Sequence, residues 1–219
     1  MGQNDSDKMR DLFRRPEDMW KEDDYRPDAN QKKQEAKGEG PKTHKQVGKR
    51  IATRIRLKKE ACAQVLTERI EPGTSYHFIS NGAFDYWNIV TRIIELHELT
   101  AAEFYGCTWT MNDANVKSLF ELIDNRTLRS ASVMVGLYFL HREPVVADTL
   151  KCGLEDRAQR FKACENHAKV VLLQAGEDWL VFEGSANFTA NPRIEQFVLN
   201  NDRELFEFHK TWMNGYFEK

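Results

Sequence analysis

Residues 166–188 read NHAKVVLLQAGEDWLVFEGSANF, two β-rich arms joined by Gly176, Glu177 and Asp178. Turn residues between apolar runs predict a β-hairpin. Side chains alternate faces along a strand, so His167 and Lys169 share a face on the first arm, as do Ser185 and Asn187 on the second. With the hairpin centred on Glu177, antiparallel pairing sets His167 opposite Asn187 and Lys169 opposite Ser185, with opposed neighbours about 5 Å apart. The four polar groups then converge, while Ala168, Val170, Leu172, Leu180 and Phe182 form the other face and suit a core. A one-residue slip of register would undo this arrangement.

Polar residues on a half-exposed strand are usually its solvated face, but this set has a chemistry of its own. A cation, a hydroxyl and an amide can cradle the oxygens of a phosphate, and an imidazole beside them can act as nucleophile or acid-base group. A carboxylate on the second imidazole nitrogen would hold its tautomer, and Glu195 on the following strand is available.

His167-Ala-Lys169, then Ser185 and Asn187 within GSANF, then Glu195 downstream together resemble the signature of the phospholipase D superfamily, HxKxxxxD followed by GSxN and a glutamate. The resemblance covers residues 70–219. It implies an α/β fold, a mixed β-sheet flanked by helices on both faces. It also implies a metal-independent, cofactor-free phosphodiesterase working through a phosphohistidine. His167 would then be nucleophile or acid, Lys169, Asn187 and Ser185 would bind the phosphate, and Glu195 would orient a histidine. The Asp of the pattern falls at Gln174, a departure; position 174 has the opposite parity to His167 and so reads as structural. Only one HxK is present, the other histidines standing in HKQ, HFI, HEL, HRE and HKT. A single copy requires a homodimer sharing one site, as in the nuclease-like branch that single-motif chains resemble. A nuclease cleaving DNA or RNA is therefore the first expectation. The alternative, fed by Gln174, is a degenerate module that grips nucleic-acid backbone without cutting. Lipid phosphodiester hydrolysis ranks third, since no amphipathic membrane-binding stretch stands out.

The rest of the chain frames this hairpin. Of 219 residues, 41% are hydrophobic and 30% charged, with a formal net charge of -2, which suits one domain with a solvated surface. Residues 1–41 carry nine Lys/Arg and eleven Asp/Glu with few large apolar groups, and are expected to be a flexible charged arm. From Lys42 to Lys59 there are eight Lys/Arg and no acid. Within this lead-in segment, 42–69, Lys49, Arg50, Arg54, Arg56, Lys58 and Lys59 are candidates for nucleic-acid phosphates, with a solvated basic face as the other reading. No apolar run reaches membrane-spanning length, and the first residues lack the apolar core of a secretory signal, so a cytoplasmic location is expected. Cys62, Cys107, Cys152 and Cys164 contain no CxxC and read as reduced core thiols.

Between these landmarks an α/β alternation is expected. SYHFIS (75–80) and AEFYGCTW (102–109) read as strands, with Asp85 as N-cap of a helix burying Tyr86, Val90, Ile93 and His97. Asn112 or Asp113 caps a helix to Ile123. SASVMVGLYFL (130–140) reads as a buried central strand, and a helix fits Pro144 to about Leu154. A strand over 194–200 precedes a closing helix from about Asp202, its inner stripe being Leu205, Phe208, Trp212 and Tyr216.

Overall fold

A computed structural model of the chain describes residues 57–189 and 193–218. The expected arm, and Lys49, Arg50, Arg54 and Arg56 of the basic strip, lie outside them. The helix starts follow from side-chain caps. Asp85 accepts from the Asn88 backbone at 3.1 Å while the Asn88 side chain accepts from the Asp85 amide at 3.0 Å, a reciprocal box that opens α2 (Tyr86–Leu96) after a helix over 57–65, α1. Asn112 caps α3 (Asp113–Asp124) by accepting from Asn115 N at 2.9 Å. Asp202 does the same for α6 (Arg203–Phe217) through Leu205 N at 2.9 Å.

Seven strands, β1 (Ser75–Ser80), β2 (Ala102–Thr108), β3 (Leu128–Gly136), β4 (Arg160–Cys164), β5 (Val170–Ala175), β6 (Asp178–Gly184) and β7 (Glu195–Asn201), form one sheet in the order β1-β7-β6-β5-β2-β3-β4. The pairs β2/β3 and β3/β4 are parallel and the other four antiparallel. It is the expected α/β architecture, a mixed sheet with helices on both faces. One face packs on α1, α2, α3 and α5 (Pro144–Asp156) through residues such as Cys62, Tyr86, Ile93, Leu119, Leu150, Val171, Leu173 and Phe182. The other packs on α6 through Tyr105, Cys107, Val170, Leu172, Val181, Phe206 and Met213. β1, β2, β3, β4 and β6 run one way, so their carboxyl ends gather at one edge with the starts of β5 and β7. Crevices at such edges are where open α/β sheets carry their sites.

The structure departs from the sequence expectations at several places. Apolar run 130–140 is not one strand: β3 ends at Gly136 and Leu137–Arg142 is a short helix, α4, with Leu137 and Tyr138 exposed. Strand β4 escaped notice because RFKAC is short, polar at alternate positions and lies on the sheet edge. Helix α6 is rotated from its expected stripe: Phe206, His209 and Met213 are buried, whereas Phe208 and Tyr216 face outward. Of the cysteines, Cys62 and Cys107 are core thiols, which burial pushes up to about 12, but Cys152 is exposed and Cys164 half-buried.

The register correction matters most. Val170 pairs with Glu183 and Ala175 with Asp178, closing a two-residue turn at Gly176-Glu177, with Gly176 at φ 55°. The pairing is one residue away from that expected, so Lys169 stands opposite Gly184, whose amide donates to the Lys169 carbonyl at 3.3 Å. Leu180 and Phe182 share a face with Val171 and Leu173, and Ala168 is exposed rather than in the core. The reason is physical. β5 lies between β6 and β2 and buries Val170, Val171, Leu172 and Leu173 alike, so no alternation specifies its register.

Candidate functional site

His167 and Lys169 precede β5, at the edge where the carboxyl ends meet. Lys169 is only 7% exposed, yet its Nζ donates to the His167 carbonyl at 2.6 Å and lies 2.9 Å from His167 Nδ1. An ammonium has only protons to offer, so Nδ1 is the acceptor in this contact. Burial lowers the Lys169 pKa from its ordinary value, and the negative charge of Glu195 acts against that. His167 itself is exposed, with its ring 5.4 Å from Trp109. Asn166 holds the segment in place: its amide donates to the Thr108 carbonyl at 3.0 Å and its oxygen accepts from Ala168 N at 2.9 Å.

The second arm reaches the site despite the shifted register because it leaves the ladder at Gly184. A Cβ on Gly184 would stand 2.8 Å from the Phe197 ring and 2.9 Å from the Gln196 carbonyl, so the close approach of β6 to β7 there calls for glycine. Past it, Ala186 and Phe188 turn into the core, Phe188 lying 5.1 Å from Tyr86 and 5.8 Å from Trp87. Phe188 N donates to Thr108 Oγ1 at 3.1 Å, and Asn115 Nδ2 donates to the Phe188 carbonyl at 3.1 Å. GSANF thus crosses the start of β5 to reach the end of β2, carrying Ser185 and Asn187 on the side away from the core. Local alternation survives although the ladder does not.

Ser185 is exposed and its hydroxyl donates to Glu195 Oε2, while accepting from Gln196 N at 3.1 Å. Asn187 is half-buried, and its Oδ1 is buried with no hydrogen-bond partner. An orphaned amide oxygen costs about 1–3 kcal/mol, a standing cost that needs a reason. The structure therefore brings His167 to Lys169, Ser185 to Glu195, and Lys169 within electrostatic reach of Glu195. Gln174 lies up the strand beside the turn, donating to the Gly176 carbonyl at 3.1 Å. Of the basic strip, Lys58 pairs with the cap Asp85 at 3.5 Å, and Lys59 is exposed.

What reading the residues missed is Trp109, Tyr138 and Gly136 around His167. Trp109 ended a strand and Tyr138 sat inside an apolar run, so neither carried a signal of its own.

No family model and no curated protein matches the sequence. Solved structures do. A phospholipase D family member, Nuc, from Salmonella typhimurium aligns at 13% identity and a TM-score of 0.47, over 66% of this chain and 94% of that one. An archaeal chromatin protein, whose structure shows a novel mode of DNA binding, aligns at 15% identity and TM-score 0.46, over 80% of this chain and 66% of that one. Polyphosphate kinase from Porphyromonas gingivalis aligns at 13% identity and TM-score 0.47, over 65% of this chain but 26% of the kinase. Among the described residues, no helix is long and apolar enough to cross a membrane.

Proposed function

We propose that the chain is a metal-independent phosphodiesterase, a nuclease cleaving DNA or RNA in a site shared by two subunits. The observation that carries this reading is the Lys169 ammonium held 2.9 Å from the exposed His167 ring at the open edge of the sheet. A phosphodiester would draw that ammonium to a non-bridging oxygen, with Asn187 beside it. The freed imidazole attacks phosphorus, forming a P–N bond as the P–O bond to the leaving group breaks. A second imidazole protonates the departing oxygen, and water then returns the histidine. Among the described residues only His167 has this lysine and asparagine near it, so in this reading the second imidazole comes from another copy of the chain across a two-fold axis. In this reading Gln174 takes no part in the step, its side chain donating to the Gly176 carbonyl of the hairpin turn.

Incubation with plasmid and single-stranded DNA in EDTA, beside His167→Ala, tests the reading. Cleavage in EDTA that the variant loses is expected, from a species of twice the 25.5 kDa chain mass in light scattering. A strict requirement for added Mg²⁺, or a monomer that still cuts, would overturn the mechanism. Binding without cutting would make the chain a backbone-gripping module.

A further inference from the structure

Trp109, Tyr138 and Arg142 stand at the mouth of this site with no part in holding the phosphate. Trp109 follows β2, and Tyr138 lies in the first turn of α4. Their rings stack at 4.6 Å between centroids and 9° between planes, and Trp109 meets His167 at 5.4 Å and 51°. The stack has a built floor. A Cβ at Gly136 would stand 2.4 Å from Trp109 Cδ1 and 3.0 Å from the Asn166 carbonyl, so the indole can lie there only over glycine. Gly136 N also donates to the Trp109 carbonyl at 3.2 Å, tying the end of β3 to the backbone of the same residue.

Packing accounts for Trp109, which is half-buried, but not for Tyr138. That ring is 44% exposed beside Leu137, 41% exposed, where an apolar run would be buried by default. Arg142, one turn on and largely exposed, donates to the Tyr138 hydroxyl at 3.2 Å with its guanidinium 5.8 Å from the ring centre. An exposed aromatic stack, a neighbouring cation and a phosphate-binding lysine in sequence are the parts of a single-strand binding groove.

We propose that the Trp109–Tyr138 stack seats an unpaired nucleobase flanking the phosphodiester at His167, with Arg142 beside it for the next phosphate. This rests on the phosphodiesterase reading and narrows its substrate to single-stranded nucleic acid. A base in a duplex already has both faces stacked, whereas an unpaired base offers a face to the tyrosine. Ring contact between Trp109 and His167 places the base seat and the phosphate seat within one nucleotide step.

The test uses the full chain and two labelled probes of equal length: an oligothymidylate and an abasic deoxyribose-phosphate oligomer. Fluorescence anisotropy should show wild type binding the oligothymidylate about five- to a hundredfold more tightly. Tyr138→Ala should remove most of that preference and Tyr138→Phe should keep it, with melting curves confirming that both variants fold. Equal affinity of wild type for the two probes, or a full preference retained by Tyr138→Ala, would overturn the base seat. Cleavage of the abasic oligomer by wild type but not by His167→Ala, without a base preference, would leave the phosphodiesterase standing and remove the seat. A base preference lost in Tyr138→Ala with neither probe cut would keep the seat and remove the phosphodiesterase.

Discussion

Two histidines stand at opposite ends of the same sheet, joined by the length of β6, and they are built in opposite ways. At the Asp178 end His97 is closed in: its side chain is fully buried, its Nε2 accepts from Ile70 N at 3.0 Å, and its Nδ1 lies 3.0 Å from Asp178 Oδ2. Asp178 also accepts from Arg69 at 2.9 Å and from Asn201 at 3.0 Å, and Asn201 in turn donates to the Ile70 carbonyl at 2.9 Å. Within this set His97 Nδ1 has the Asp178 carboxylate as a charge partner but makes no hydrogen bond, and the other polar atoms are hydrogen-bonded within the chain. At the Gly184 end His167 is exposed, Lys169 is its partner, and the Asn187 oxygen is left unmet. The contrast lies in enclosure: the His97 network is closed within the chain, while the His167 end opens to solvent. Sequence spacing alone does not distinguish two buried or exposed histidines; their surroundings do.

The sharpest way to break this comparison is to truncate each histidine and read both activity and stability. His167→Ala should lower cleavage by about a thousandfold or more while leaving the melting temperature near wild type. Lys169→Ala should follow it closely in activity. Wholesale unfolding of either variant, seen by circular dichroism, would make the pair structural and erase the contrast.

His97→Ala should do the reverse. It strands the buried Ile70 amide, opens a cavity where the imidazole stood and takes one of three partners from Asp178, at a cost of about 3 kcal/mol, or roughly 6–12 °C in melting temperature. Cleavage per folded molecule should be unchanged, as measured below the new transition. A loss of activity in step with His167→Ala would mean that the two ends are coupled.

A third histidine sharpens the comparison through pH. His209 accepts from Trp212 Nε1 at 3.0 Å and approaches Glu183 at 3.3 Å, yet burial lowers its pKa from the ordinary 6.5, with Glu183 acting against that. The unfolded chain therefore takes up a proton at higher pH than the folded one. Stability is full above 6.5 and falls as pH drops through the window below it. Denaturant midpoints at pH 5 and pH 7 should differ less in His209→Gln than in wild type. An unchanged difference would remove His209 as the source.

The smallest expected effect is at the position where the motif departs. Gln174→Asp supplies the Asp of the HxKxxxxD pattern, but the side chain at 174 serves the turn and lies away from the open edge. Activity should change by no more than about twofold, in keeping with roughly 0.5 kcal/mol for a surface substitution. A large rise in turnover would show that position 174 reaches the site.

Local signals carried far into this fold and then stopped for definite reasons. Asp85 caps the helix expected of it, Asn112 is the one of the two candidates that caps α3, and Asp202 caps the helix expected to begin there, because a cap needs only its own chain neighbours. The inner face of α2 was legible from its period, whereas α6, with aromatics all round, offered two stripes and buried the other one. β3 and α4 merged in one apolar run, since SASVMVG and LYFL are both hydrophobic and only a break at Gly136 separates them.

At the site, the sequence by itself determined which groups exist and which of them share a side over short stretches: His167 with Lys169, and Ser185 with Asn187. Those placements depend on alternation over two residues, and they survive. What only the tertiary structure decided was how the two arms meet. VVLL in β5 is buried on both faces, so hydrophobic patterning is silent about its register, and the Gly176-Glu177 turn sets it one residue away. The arms still converge because Phe188 is anchored on Thr108 and Asn115, contacts that span 80 and 73 residues of chain. The Trp109–Tyr138 stack likewise arises from the ends of two neighbouring strands. No spacing within one segment could reveal it.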